Sequence, residues 1–112
     1  MPRERWEDRV HDILTAIEKI HRYTAGLSWE AFATDERTID AVVRNLSIIG
    51  EAAQHIPPNV QNRSAAIPWA EMRGMRHRIV HDYFSVDTRI VWQTITDDLP
   101  PLTPLLQALV PT

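Results

Sequence analysis

A chain of 112 residues with 44% hydrophobic and 24% charged side chains suits a single domain spanning 1–112 and is too apolar for a disordered tail. The absence of cysteine excludes disulfides, zinc ribbons, thiol nucleophiles and iron–sulfur clusters, and predicts a reducing compartment. A formal net charge of −3 argues against general coating of nucleic acid, so any basic surface must be local.

The opening Met-Pro-Arg-Glu-Arg-Trp-Glu-Asp-Arg alternates charge where an export signal needs an apolar stretch. No run of about 18 apolar residues follows, so a cytoplasmic chain with no membrane partner is expected. From residue 3 to 25, Trp6, Val10, Ile13, Ile17, Ile20 and Tyr23 keep one helical face apolar. Gly26 is a plausible stop. Leu27 to Ala33 reads as a connector with Trp29 and Phe32 turned inward. Thr34 and Asp35 are able to cap a second helix, whose stripe is Ile39, Val42, Val43, Leu46, Ile49, Ala53 and Ile56. Pro57-Pro58 forbids its continuation.

Asn59 to Ile67 is polar and loop-like. Pro68 suits the first position of a third helix carrying Trp69, Met72, Met75, Ile79, Val80 and Tyr83. Asp87 is placed to cap a fourth, with Ile90, Val91, Ile95 and Leu99, and a proline-flanked continuation holds Leu102, Leu105, Leu106, Leu109 and Val110. Strand-like alternation is missing. The predicted fold is all-α, an up-and-down bundle of four main helices plus a short C-terminal one.

Charge concentrates in one place. Arg73-Gly-Met-Arg-His-Arg-Ile-Val-His81 carries Arg73, Arg76 and Arg78 with no acid, a local +3 that leaves −6 for the remainder. On a continuous helical wheel Arg76 falls inside the stripe of Trp69, Met72, Ile79, Val80 and Tyr83. A guanidinium there needs an acidic partner, a solvent-lined cleft or an anionic ligand. Glu51 on the second helix is a candidate partner; a phosphate suits the forked guanidinium equally.

His77 and His81, four apart, share a different face. One reading is a metal site, but zinc hydrolases with this spacing place a glutamate after the first histidine. Arg78 stands there instead, and a cation neither attracts metal nor acts as a base. The other reading makes His81 a proton-transfer group, since imidazole titrates near neutrality. Along an ideal helix Arg76 and His81 point about 140° apart. Arginine's reach, a distorted helix or a second copy of the chain would bridge that gap, and a shared cleft at a two-fold axis is favoured.

The string Arg76-His77-Arg78-Ile79-Val80-His81-Asp82-Tyr83 resembles the Arg-x4-His-x-Tyr motif of the HEPN superfamily, specifically its HepT-like ribonuclease toxins. Ile67-Pro68-Trp69 and Arg73-Gly74-Met75 before it, and Phe84-Ser85-Val86-Asp87 after it, resemble the same family. So do Arg44 to Ala52 upstream, and Val91-Trp92 and Asp97-Asp98-Leu99-Pro100 downstream. The resemblance implies a helical homodimer whose paired motifs cut RNA without metal or cofactor. Arg76 would orient the scissile phosphate and His81 would carry the proton transfer, with His77, Arg73, Arg78 and Glu51 in supporting or RNA-binding positions. His77 occupies a slot where the family often has asparagine. Tyr83 would accept AMP from a minimal nucleotidyltransferase antitoxin, and the added anion would block the cleft. The rival reading is a non-catalytic module that binds nucleotide or partner through the same residues.

Other residues invite plainer readings. Gly50 and Gly74 are expected at close helix crossings, the four tryptophans in core or interface, and His11, His21 and His55 at the surface or at helix ends.

Overall fold

The first two apolar stripes form the helices they predict. In a computed structural model that describes residues 5–80 and 85–110, α1 spans Trp6–Thr24 and buries Val10, Ile13, Ala16, Ile17 and Ile20. Its chain leaves helical geometry at Ala25, and Gly26 has φ +77, a left-handed conformation that costs glycine nothing. Tyr23 departs from expectation, at 40% exposed. Two consecutive steps of three residues turn it about 120° away from Ile17, off the buried seam.

The connector is partly helical. Ser28 Oγ accepts from the Ala31 amide at 3.1 Å, which starts α2, Trp29–Ala33, and Phe32 is buried beneath it. Asp35 then caps α3, Glu36–Ala53, by accepting from the Thr38 amide at 3.0 Å and the Thr38 hydroxyl at 2.7 Å. The helix buries Val42, Leu46, Ile49, Ala52 and Ala53, and stops before the proline pair. The segment expected to be a loop also coils: Pro58 opens α4, Pro58–Asn62, with Pro57 as its cap and Val60 buried. A proline lacks only an amide that the first helical turn leaves unused, so the pair that ends one helix begins the next.

The third helix is not continuous. It divides at Gly74 into α5, Trp69–Arg73, and α6, Met75–Ile79, and Pro68 precedes α5 as its cap rather than opening it. Asp87 caps α7, Thr88–Gln93, by accepting from the Ile90 amide at 3.1 Å. A π-helical turn, Thr94–Asp98, follows, and α8 is Leu102–Leu109.

α1 packs along α3; α5 and α6 lie against α3, α8 against α1, and α2 links α3 to α7. The core runs between these helices through Ile13, Phe32, Leu46, Ile49, Met72, Ile79 and Leu106, each less than 2% exposed. The architecture is all-α, as predicted, with an isolated antiparallel bridge between Val80 and Val86. No described helix is long and apolar enough to cross a membrane.

Candidate active site

A close approach of main chain sets where α5 sits. A Cβ built on Gly50 of α3 would lie 3.2 Å from the Met72 carbonyl oxygen and 3.7 Å from that of Arg73. Glycine at 50 therefore lets α5 approach α3 closely, as expected. Gly74 does something else: its hypothetical Cβ would meet nothing nearer than 3.6 Å. With φ −90 and ψ 4 it marks the break between α5 and α6 rather than a crossing. The Trp69 indole adds an anchor, donating to the Ser64 carbonyl at 3.2 Å.

The break changes what α6 presents. Met75 and Ile79 are buried, 5% and 0% exposed, whereas Arg76, His77 and Arg78 are all exposed. The wheel that put Arg76 inside the stripe assumed an unbroken helix, and Gly74 resets the phase. Arg76 is thus a surface cation and needs no buried partner. Glu51 serves a different residue, its Oε1 lying 3.4 Å from Nε2 of His55. No ion pair joins Glu51 to Arg76 among the described residues.

The remaining predicted residues fall in different places. Arg73 is half-buried and donates from Nη1 to Gln61 Oε1 at 3.0 Å, which ties α5 to α4. Arg78 Nη1 lies 3.9 Å from Asp98 Oδ2. Arg78 and Asp98 line a cleft of about 570 Å³ whose apolar side is Met72, Met75, Leu102 and Leu105. His81 and Tyr83 lie outside the described residues, so the expected convergence of Arg76 and His81 does too. The backbone brackets their segment: the Asp87 amide donates to the Ile79 carbonyl at 2.8 Å. Among the described residues no three His, Asp or Glu side chains gather in a way that would hold a metal ion. His11, His21 and His55 are exposed.

Of the tryptophans Trp69 lies in the core, and Trp6, Trp29 and Trp92 pack half-buried against it. Trp69 is 6% exposed, and the Trp92 ring packs at a tilt against Phe32 and Trp29, with centroids 5.0 Å and 6.3 Å away. The Arg89 guanidinium lies 4.5 Å over the Trp29 ring. Asp98 is the site residue that sequence reasoning left without a role. Twenty positions separate it from Arg78, and no local spacing rule connects them.

The family described as Ribonuclease HepT-like matches residues 13–109. The chain belongs to the HepT-like ribonuclease family. The matched span takes in α3, both halves of the broken helix and α8, so the cationic α6 is family territory. Among its relatives is "Probable ribonuclease HepT" of Thermococcus cleftensis, 43% identical over 86% of this chain and 87% of the relative. "Putative RNase TTE0752" of Caldanaerobacter subterraneus subsp. tengcongensis is 39% identical, over 80% of each chain. "Putative RNase MJ0125" of Methanocaldococcus jannaschii is 34% identical, over 89% of this chain and 86% of its own. No solved structure matches the chain significantly. Membership of this HepT-like family supports an RNA-cleaving activity.

Proposed function

We infer that this chain is a metal-independent endoribonuclease, the toxin of a HEPN and minimal nucleotidyltransferase pair, acting as a cytoplasmic homodimer. The observation that carries the reading is the solvent-facing Arg76-His77-Arg78 on α6, within a chain whose remaining charge is negative and which belongs to a ribonuclease family. An anionic substrate is drawn to the only concentrated positive segment of the sequence.

In this reading Arg76 grips the two non-bridging oxygens of the scissile phosphate with its fork of donors. The imidazole of His81 takes the proton from the ribose 2′-hydroxyl as that oxygen bonds to phosphorus. The bond from phosphorus to the 5′-oxygen breaks; the departing alkoxide takes a proton from solvent, and the His81 imidazolium returns its proton to solvent. The products are a 2′,3′-cyclic phosphate and a 5′-hydroxyl, so no water, metal or redox partner is consumed. His77 and Arg78 hold neighbouring phosphates, and a second protomer faces the first across the cleft. Transfer of AMP to Tyr83 by the antitoxin places a phosphate where RNA would bind and silences the enzyme.

The test is RNA cleavage by the purified protein in excess chelator, beside His81→Ala and Arg76→Ala. Wild type is expected to cut and both variants to fail. Equal cleavage by all three would refute the assignment of these residues. Absence of cleavage by wild type, with nucleotide still bound, would instead leave a binding module.

A further inference from the structure

Within the exposed triplet of α6, Arg78 stands beside an acid: its Nη1 is 3.9 Å from Asp98 Oδ2, and the two side chains are 49% and 54% exposed. We propose that Asp98 is a positioning residue that holds Arg78 across the mouth of the adjoining cleft and so limits how tightly α6 binds RNA. This inference rests on the ribonuclease reading and refines it.

Each half of the pair is fixed by its own element. Arg78 occupies the last turn of a five-residue helix pinned to the core by Met75 and Ile79. Asp98 ends the π-helical turn, in which the Leu99 amide donates to the Thr94 carbonyl at 3.1 Å. The hydroxyls of Thr94 and Thr96 bond back to the carbonyls of Ile90 and Trp92, both at 2.8 Å, an arrangement that bends helices. Pro100 follows directly, and in a regular α-helix its ring would collide with the Thr96 carbonyl. The wider turn makes room for it. Leu99 thereby stays 2% exposed while Asp97 and Asp98 remain at the surface.

The rim of the cleft carries Glu71, Asp97 and Asp98, with Arg78 as its basic member. A phosphate that takes Arg78 must displace Asp98, and an exposed pair of this kind is worth about two- to fivefold in an equilibrium constant. Asp98 therefore acts through Arg78 and has no contact with the reacting atoms.

The experiment measures binding of a single-stranded 2′-O-methyl oligonucleotide, which lacks the attacking hydroxyl and is bound without being cut. Wild type, Asp98→Asn, Arg78→Ala and the double variant are compared across a salt series. Asp98→Asn is expected to bind about two- to fivefold more tightly at low salt. Its plot of log affinity against log salt should steepen by about 0.7, the release of one more counterion from a single strand. In the Arg78→Ala background the Asp98 substitution is expected to have no effect. Asp98→Ser serves as a second variant of the same exposed position.

Unchanged affinity in the single variant would overturn the proposal. So would tightening that persists without Arg78, since that would report net charge alone. Wild type that binds no oligonucleotide would overturn this inference together with the ribonuclease reading; wild type that binds, with indifferent variants, would overturn this inference alone.

Discussion

Arg76 reaches solvent because Met75 and Ile79, one position before it and three after, anchor α6 to the core. Its proposed work depends on the shape of the guanidinium as well as its charge, because lysine presents a point charge with no fixed fork. Arg76→Lys is therefore expected to lower the RNA cleavage rate by about a hundredfold or more, the usual cost of losing one preorganised donor to a developing oxyanion. Its melting temperature should match wild type, since the side chain is exposed. Asp35 gives a second expectation, this time in stability. The Thr38 hydroxyl first, and then the Thr38 amide, hold its carboxyl below the ordinary carboxylate range. A lowered value means that the folded chain binds this proton less readily than the unfolded chain. The stabilisation is thus complete above the ordinary range and fades as pH falls through the folded value. Thermal melts should place Asp35→Ala below wild type at neutral pH, with the gap narrowing from about pH 4 downward.

The two glycines of the α3 and α5 region call for opposite outcomes. Gly50→Ala puts a methyl 3.2 Å from the Met72 carbonyl, a backbone atom on a helix held by buried Trp69 and Met72. Overpacking of this kind costs about 1–3 kcal/mol, against about 1 kcal/mol gained in helix propensity. Chemical denaturation should show Gly50→Ala less stable by about 1 kcal/mol. Gly74→Ala has ordinary contacts and negative φ, so it should be neutral or stabilising by less than about 1 kcal/mol. The same pair of positions explains what could be read in advance. α1 and α3 were legible because each repeats its apolar spacing over more than four turns. The short helices were not: α2 depends on the single Ser28 hydroxyl, and α4 lies in a polar stretch that holds one buried residue, Val60. The break at Gly74 misled the wheel, since Trp69, Met72 and Ile79 keep helical spacing across it and so placed Arg76 inward. The candidate cluster of Arg76, His77 and Arg78 was legible as a run of charge, whereas the approach of Asp98 to Arg78 exists only in three dimensions.

In the dimer reading, each catalytic centre draws on both protomers, and this is open to a complementation test. Co-expressed Arg76→Ala and His81→Ala chains form mixed dimers in which one of two composite centres keeps both groups. Cleavage should return to roughly a quarter of the wild-type rate, because half the dimers are mixed and half their centres are intact. Centres built within one protomer would give no recovery. The folded unit measures 40 × 29 × 29 Å, and in it the main chain of α5, the helix just before the cationic α6, lies close against α3 at Gly50. A side chain at position 50 would wedge α5 outward and carry the Arg76-His77-Arg78 triplet of α6 along with it.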